Sequence, residues 1–406
     1  MPKRQRWRPV RGTGNRIYDP VERALVAVAD APGRLVHALW PPLVPSVDEA
    51  PIREILVLRL DRIGDVVMSL PALADLRAAF PAARIRLAVG RWSEPVARSA
   101  PVDEVLVWSA SWMGRAHEGA RSLRRLLGRA RALRAGGIDL GIDLQGDVRA
   151  SLLLRTAGAR IRVGYANTGG GYLLTHVVPL DETVSFVEQN RRAVATVTGG
   201  IAGVPADPLS TAERRRAREI LTASGVPPDA RPLVGLHPSG GRPVKQWPLA
   251  RWAELVRRLQ EGGATVVITG STADRPLVHT IARAVPRPVV DITGQLDLRQ
   301  TLAVLSALDL FLSPDTGPMH MAIAVGTPTV SVFGPSDAVR YFSGGTGAAG
   351  TRHEVVRAEL WCAPCNLIRK PPAECREGEA PECLRLVGVD EVHAAALRAL
   401  AAGRPR

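Results

Sequence analysis

The feature that most constrains the fold is an alternation of short apolar strands with amphipathic helices, which begins near residue 52 and starts again near residue 231. Alternation of this kind is typical of a parallel sheet with helices on both faces, the α/β class. Because the pattern occurs twice, we expect two similar α/β halves with a cleft between them. In open parallel sheets, ligands bind beyond the carboxyl ends of the strands. The residues that follow each strand are therefore the first candidates for function.

The predicted elements divide the chain into five segments. The expected strands are EILVLRL, RIRLAVG, EVLVW, IDLGIDL, PLVGLHP, ATVVITG, PRPVVDITG, DLFLSP and TPTVSVFG. The expected helices are DVVMSLPALADLRAAF as one helix over 65–80, RSLRRLLGRARALRAGG, LARWAELVRRLQEGG, LRQTLAVLSA, MHMAIAVG and VDEVHAAALRALAAG. The predicted segments are a basic, partly disordered N-terminal extension 1–50, an N-terminal domain 51–205, a linker region 206–230, a C-terminal domain 231–388 with a cysteine loop 362–383, and a C-terminal helix 389–406.

The chain is strongly basic, with 406 residues and a net charge of +14. Such a charge favours acidic partners: nucleic acid, anionic lipid or a phosphorylated substrate. Nucleic acid is disfavoured, because aromatic residues are only 4% of the chain and no recognition motif is present. The first sixteen residues carry six basic residues and no acidic one. They indicate either a solvated tail or a patch that rests on anionic lipid with the apolar stretch behind it.

No stretch has the ~20 apolar residues that span a bilayer, and no signal peptide pattern is present. We therefore expect a cytoplasmic protein, with a peripheral position on the inner face of the cytoplasmic membrane if the basic patch does bind lipid.

All four cysteines lie in one short loop: Cys362, Cys365, Cys375 and Cys383. Four thiols at such spacing can form a tetrahedral structural zinc site. Two disulfides are the second interpretation, which a reducing compartment disfavours, and four free thiols are the third.

Residues of the second half predict an anion site. Asp315, Thr316 and Gly317 lie where a helix begins, and a helix N-terminus with a glycine is a site for phosphate. His320 follows one turn later. Ser239 and Gly240 form a small turn before Lys245, a compact cation suited to phosphate. Asp274 follows another strand and is a candidate acceptor for a ribose diol. Helix capping for the acidic residues, and packing or a surface position for the others, are the alternative interpretations.

Asp65 follows the first strand of the other half, where nucleotide-binding folds usually place a phosphate cradle. A carboxylate repels phosphate, so Asp65 is expected to meet a different substrate. If that substrate brings a hydroxyl, Asp65 can take its proton as a general base. A sugar bonded to the diphosphate would then be attacked from the side opposite the leaving group, which inverts its configuration. Taken alone, the position of Asp65 favours a helix N-cap.

The order and spacing of these motifs resemble glycosyltransferase family 9, the heptosyltransferase family of lipopolysaccharide core synthesis. The resemblance extends from about residue 52 to the C-terminus. It rests on RIGDVVxSLPAL at 62–73, HPxG at 237–240, KxWP at 245–248, DTGPMHxAxAxGxP at 315–328 and FGPSD at 333–337, and on the CxPC start of the cysteine loop.

The resemblance implies a GT-B fold, with two Rossmann-like domains facing a cleft and the nucleotide sugar held by the C-terminal one. It implies inverting, metal-independent transfer of a heptose or related sugar from ADP-heptose to a hydroxyl of a lipopolysaccharide core or another glycan or glycolipid. Asp65 would be the catalytic base, and the donor would be bound by Ser239, Gly240, Lys245, Asp274, Asp315, Thr316, Gly317 and His320.

Two other classes of function remain open at this point. One is another GT-B nucleotide-sugar enzyme such as a 2-epimerase, which would need no second acceptor. The other is a non-enzymatic, basic nucleic-acid-binding scaffold, which explains the charge but not the residues at the strand ends. A nicotinamide dehydrogenase is disfavoured, because no G-x-G-x-x-G follows a strand.

Overall fold

The computed structural model describes most of the chain after residue 50 and part of the segment before it. The described residues are 24, 27, 28, 30–33, 35, 39, 50–110, 119–200, 203, 207–342, 352–368, 371–376 and 380–403. They form two compact units, one within Val10–Ala206 and one within Asp207–Arg406.

The first unit contains a parallel sheet of six strands with helices on both faces. The strands are β1 Glu54–Arg59, β2 Arg84–Val89, β3 Glu104–Val107, β4 Leu140–Asp143, β5 Ile161–Gly164 and β6 His176–Val177, in the spatial order β3-β2-β1-β4-β5-β6. The helices are α1 Ile63–Val67, α2 Leu70–Ala79, α3 Glu94–Ala97, α4 Gly119–Leu133, α5 Val148–Thr156 and α6 Phe186–Thr198, with 3₁₀ turns at Arg91–Ser93, Arg134–Gly136 and Gly171–Leu173.

Both faces of this sheet are buried, which is why its strands read as continuous apolar runs. In β1, Ile55 and Val57 pack on one face among side chains of α2 and α6. Leu56 and Leu58 pack on the opposite face among side chains of α4 and α5. Polar groups are thereby displaced to the strand ends.

The second unit repeats the architecture. Its strands are β7 Leu233–Leu236, β8 Thr265–Ile268, β9 Val290–Asp291, β10 Leu310–Pro314, β11 Thr329–Phe333 and β12 His353–Arg357, in the spatial order β12-β11-β10-β7-β8-β9. Its helices are α7 Thr211–Ala223, α8 Leu249–Glu261, α9 Arg275–Ala284, α10 Leu298–Ala307, α11 Gly317–Ala324, α12 Ala338–Tyr341, α13 Glu382–Arg385 and α14 Val389–Ala402, with 3₁₀ turns at Pro243–Lys245, Thr272–Asp274 and Ala373–Cys375.

The strand order reverses direction beside the central strands of each sheet. In the first sheet β1 lies between β2 and β4, and in the second β7 lies between β8 and β10. These reversals are the switch points at which doubly wound sheets bind ligands. The predicted α/β class and the two Rossmann-like sheets are confirmed.

The helix predicted over 65–80 is wrong as a single element. The structure has α1 and α2, separated at Met68 and Ser69. Pro71 explains the break, because proline has no N–H to donate and its ring clashes with the carbonyl four residues earlier. Pro71 instead occupies the first turn of α2, where a missing N–H costs little.

The segment 206–230, predicted as a linker region, contains α7. Ser210 begins this helix: its hydroxyl accepts from the backbone N–H of Glu213, whose carboxylate accepts from the N–H of Ser210 at 2.9 Å. Arg299 on α10 also pairs with Glu213, which fastens α7 to the second unit. The described part of this segment therefore includes a helix of 13 residues.

Little of the predicted N-terminal extension is described, and its basic first sixteen residues lie outside the described part. Residues 24, 27, 28, 30–33, 35 and 39 are helical. The Asp30 carboxylate accepts a hydrogen bond from the N–H of Gly170 at 2.7 Å, which attaches this segment to the first unit. Among the described helices, none has the length and apolarity to cross a membrane.

A buried ion pair fixes the packing of α2 against α6, and its loss should destabilise the first unit. Asp75 accepts two hydrogen bonds from Arg191, at 2.7 and 2.8 Å, and a third from the N–H of Gly203 at 2.8 Å. We expect Asp75→Ala to lower the free energy of unfolding by about 3 kcal/mol, because the partners are left unpaired. Guanidinium unfolding followed by circular dichroism measures this.

The matched control is Glu94→Ala, which removes the partner of Arg98 in an exposed pair. This control should lose less than about 1 kcal/mol. Equal losses in the two variants would contradict the importance of the Asp75 contacts.

Candidate functional site

In the second unit the candidate residues collect at the carboxyl ends of three adjacent strands. Ser239 and Gly240 follow β7, Asp274 follows β8, and Asp315 follows β10. Because β10, β7 and β8 are neighbours in the sheet, these side chains share one edge. The N–H of His237 donates to the carbonyl of Leu312 and so ties the ends of two of these strands together.

Lys245 and Asp315 form the most buried ion pair of this edge. Lys245 Nζ lies 2.8 Å from Asp315 Oδ2, with the two side chains 11% and 8% exposed, and it also donates to the carbonyl of Asp315. Burial works against ionisation, but the charges of Lys245 and His320 and a hydrogen bond from Ser336 hold the pKa of Asp315 below its ordinary value. Lys245 is therefore a cation at this edge with one anionic partner already in place.

Gly240 allows the chain to pass close to Lys245. A Cβ at position 240 would lie 2.6 Å from the carbonyl oxygen and 2.7 Å from the Cβ of Lys245, closer than real Cβ contacts come. A side chain there would push the Ser239–Gly240 turn away from the lysine. The absence of a side chain at Gly240 therefore allows the close approach of this turn to Lys245.

Helix α11 begins at Gly317 without a capping hydrogen bond from the side chain of its N-cap residue. Thr316 is the N-cap residue, and it makes no side-chain capping hydrogen bond. Gly317 and Pro318 form the first turn. The alternative in which Thr316 only caps the helix is thus not what the structure shows. His320, on the next turn, is buried and lies close enough to Asp315 to lower its pKa.

The carboxylate of Asp274 makes hydrogen bonds within its own turn. Its Oδ2 accepts from the N–H and hydroxyl of Ser271, at 2.8 and 2.7 Å, as a helix-start carboxylate does. Burial opposes the charge of Asp274, but hydrogen bonds from Ser271 and Ser239 lower its pKa. His237 is a neighbour that the candidate set did not include, although the HPxG motif contains it. Burial lowers the pKa of His237 to about 4 and keeps it neutral.

The structure therefore brings the candidates of the second unit into two adjoining groups. One contains Lys245, Asp315 and His320 at the start of α11, and the other contains Ser239 and Asp274. The role of each residue in binding a ligand stays a prediction.

In the first unit Asp65 is the third residue of α1, and Arg62 holds the N-cap position. Asp65 Oδ2 accepts from the N–H of Arg62 at 3.2 Å, and Oδ1 lies 3.6 Å from Arg59 Nη2. The side chain is 22% exposed, so the carboxylate can still meet a ligand. Its contact with Arg62 shows that one oxygen supports the helix start while the other faces Arg59.

Two buried carboxylates near Asp65 were not among the sequence candidates. Asp61 lies 3.2 Å from Arg59 Nε, and Asp143 accepts from the N–H groups of Gln145 and Gly146 at 2.9 and 3.0 Å. Burial raises the pKa of Asp61 to about 8 and the pKa of Asp143 to about 7. Charged residues at the carboxyl ends of apolar strands were the available signal, and in the first unit it was applied only to Asp65.

The four cysteines are free thiols near one another in the second unit. Cys383 is buried, and Cys362, Cys365 and Cys375 are partly buried. Burial raises the pKa of Cys383 to about 12, and the charges of the other three cysteines add to this effect. Among the residues described, no three His, Cys, Asp or Glu side chains are arranged to hold a metal ion. The zinc site stays a prediction.

Asp143 should make the stability of the first unit depend on pH. Its folded pKa of about 7 lies above its ordinary value, so the folded chain keeps a proton that the unfolded chain releases. The stabilisation is complete below about pH 4 and is lost as pH rises through about 7. Asp143→Asn keeps an acceptor for the N–H groups of Gln145 and Gly146. We expect a smaller fall in melting temperature between about pH 5 and about pH 8 than in the unaltered chain.

The pKa of Asp61 is also raised, so some dependence of the melting temperature on pH should remain in the Asp143→Asn variant. An unchanged difference in melting temperature would show that Asp143 is ionised in the folded protein throughout this range.

Comparison with known proteins agrees with the fold and the motifs. A family model described as glycosyltransferase family 9 (heptosyltransferase) matches residues 126–374. The chain is 27% identical to lipopolysaccharide heptosyltransferase 3 of Escherichia coli K12, over 72% of this chain and 89% of that protein. It is 29% identical to lipopolysaccharide heptosyltransferase 1 of Pseudomonas aeruginosa, over 77% of this chain and 85% of that protein.

A solved structure has the same GT-B fold. The E. coli ADP-heptose lps heptosyltransferase II superposes with a TM-score of 0.67 at 22% identity, covering 86% of this chain and 98% of that one.

Proposed function

Because the chain belongs to glycosyltransferase family 9, we propose that it moves a heptose from ADP-heptose to a hydroxyl of a lipopolysaccharide core acceptor. The chain is a glycosyltransferase. Its relatives are named for heptose transfer to lipopolysaccharide, and one solved structure is named for ADP-heptose. These names support the choice of donor and acceptor for this chain.

The observation that carries the proposal is the pairing of Lys245 with Asp315 beside the start of α11, where the N-cap side chain makes no capping hydrogen bond. A lysine and a helix N-terminus together suit a diphosphate. Asp315 is an acceptor for sugar hydroxyls, and its ion pair with Lys245 holds the two side chains next to each other. When the diphosphate leaves, the charge that develops on it is stabilised by Lys245 and by the start of α11.

Asp65 is the proposed base. Its carboxylate takes the proton of the acceptor hydroxyl as the new bond to the anomeric carbon forms. The bond from that carbon to the diphosphate breaks, ADP leaves with the bonding electrons, and the configuration inverts. The transition state carries oxocarbenium character, as in glycoside hydrolysis. Protein groups supply the positive charge in this scheme, so metal independence is a prediction, and zinc is proposed only as a structural ion of the cysteine loop.

Two alternatives receive less support. A 2-epimerase uses acid and base groups within its donor site and has no need for a carboxylate such as Asp65 on the other unit. A nucleic-acid-binding scaffold explains the net charge, but it gives no role to the buried Lys245–Asp315 pair. Family membership favours transfer over both.

Calorimetric titration tests the donor site. We expect selective binding of ADP-heptose over UDP-glucose and GDP-mannose. Lys245→Ala should weaken this binding by about tenfold or more, because a charged hydrogen bond to the diphosphate is lost. Asp65→Ala is the matched control and should leave donor affinity nearly unchanged.

Binding of a different nucleotide sugar would overturn the choice of heptose. Binding of ADP-heptose that needs Asp65 but not Lys245 would reverse the roles of the two residues. Circular dichroism of each variant confirms that it is folded.

We also propose that the protein is cytoplasmic and lies on the inner face of the membrane that carries its acceptor. Val28, Leu35 and Leu39 are 74%, 61% and 63% exposed. Their spacing of seven and four residues is the spacing of positions that share one helix face. Asp30 attaches that segment to the unit that carries Asp65. On α4 of the same unit Arg124, Arg125 and Arg131 are exposed, which suits anionic lipid.

Vesicle sedimentation of the full chain tests this position. We expect binding to phosphatidylglycerol vesicles and little binding to phosphatidylcholine vesicles. The double variant Leu35→Asp with Leu39→Asp should reduce binding about tenfold or more, because two apolar side chains no longer enter the interface. The matched control changes Leu386 and Leu397, which are 53% and 50% exposed in the other unit, to Asp. Equal losses in both double variants, or no binding to anionic vesicles, would refute the proposal.

A further inference from the structure

Arg59 is a buried cation that the proposed mechanism has not yet used. It is the last residue of β1 and is only 3% exposed. A charge in that position costs several kcal/mol unless each of its donors finds a partner. The hydrogen-bond and ion-pair partners of Arg59 therefore indicate its role.

The guanidinium of Arg59 joins three parts of the first unit. Nε donates to the backbone carbonyl of Asp65 at 3.2 Å, and Nη1 donates to the carbonyl of Leu144, just after β4. Nη2 lies 3.6 Å from Oδ1 of the Asp65 carboxylate. Arg59 thus contacts both the backbone and the side chain of the proposed base.

The Asp65 carboxylate is consequently contacted from two directions. The N–H of Arg62 holds Oδ2, and Arg59 faces Oδ1. A carboxylate held in this way keeps its remaining lone pairs aimed in one direction. A base that is free to rotate spends less time within reach of the hydroxyl proton, and misplacement by about 1 Å can cost ~100-fold in rate.

Other ionisable groups also lie near Arg59, and they differ in distance and burial. Asp61 is the nearest, at 3.2 Å from Nε, and Asp143 and Tyr165 are further electrostatic neighbours. Asp61 Oδ1 is buried and accepts no hydrogen bond among the described residues. Burial raises the pKa of Asp61 to about 8, although the charge of Arg59 works in the opposite direction. Asp65 is 22% exposed and Asp61 only 10%, so Asp65 is the carboxyl beside Arg59 that a ligand reaches more readily.

We propose that Arg59 is a positioning residue for Asp65, which orients the carboxylate and keeps a positive charge beside it through the reaction. This inference rests on the proposed function, in which Asp65 takes the proton of the acceptor hydroxyl. Arg59 itself touches neither substrate. The competing explanation is that Arg59 only fastens the start of α1 to the end of β4 through its two carbonyl contacts.

Three variants separate positioning from a purely structural role. Arg59→Lys keeps the charge but lacks the planar fork that contacts Asp65 and Leu144 together. Arg59→Met combined with Asp61→Asn removes the cation without leaving Asp61 as an uncompensated buried carboxylate. Asp61→Asn alone is the matched control, because it changes the neighbouring carboxyl and keeps the contacts of Arg59 with Asp65 and Leu144. Each variant is first checked for folding by its melting temperature.

Steady-state kinetics with ADP-heptose and heptose-deficient lipopolysaccharide is the activity readout. We expect Arg59→Lys and the double variant to lower kcat by about tenfold to a hundredfold with little change in KM for ADP-heptose. Asp61→Asn should stay within about twofold of the unaltered enzyme. A folded double variant with unaltered kcat would overturn the proposal, and so would Asp61→Asn falling as far as Arg59→Lys.

A second measurement does not depend on activity. Crystal structures of the unaltered protein and of the double variant should show the Asp65 carboxylate in one orientation in the first and rotated away in the second. An unrotated carboxylate in the double variant would show that Arg59 does not position Asp65. If the unaltered protein transfers no heptose, the proposed function fails, while the crystallographic comparison still decides whether Arg59 orients Asp65.

Discussion

Burial of both faces of each parallel sheet is the constraint on which the rest of this structure depends. In β1 the residues from Ile55 to Leu58 have no exposed surface, because helices cover both sides. Such a sheet has no face on which polar side chains can meet a ligand. Polar side chains therefore concentrate at the strand ends, and the carboxyl ends beside β1 and β7 carry the proposed base and the proposed donor site.

Charges at these strand ends are held in pairs. Lys245 with Asp315, and Arg59 with Asp65, each join a buried or half-buried carboxylate to a cation from a neighbouring segment. Breaking such a pair costs more than its formation contributes, because the remaining charge is left without water. The pairs therefore fix geometry. In one unit they set a cation beside a helix start, and in the other they aim a carboxylate.

Much of this arrangement could be predicted from the sequence. The strand at 54–59 and the helix at 249–261 are strongly patterned, and the motifs at 237–248 and 315–320 pointed to one edge of one sheet. The break at Met68 was missed because the apolar pattern continues through it, although Pro71 was the signal. Helix α7 was missed because its helix-forming residues stand between two proline-rich stretches.

The contacts of Arg59 could not be predicted, since they depend on the close approach of β4 to β1, which local pattern does not determine. The same holds for Lys245, whose partner is 70 positions away in the chain. Sequence spacing identified Asp65 and Lys245 as candidates, but only the folded chain shows which charges stand beside them.

The most direct test of the central claim is the stereochemistry of transfer. The protein is incubated with ADP-heptose of known anomeric configuration and lipopolysaccharide from a heptose-deficient strain, and the product is analysed by nuclear magnetic resonance while ADP release is followed. The account predicts one inverted anomer, one ADP for each sugar transferred, and no product with Asp65→Asn, which should still bind donor. Retained configuration, or transfer that Asp65→Asn leaves intact, would contradict it.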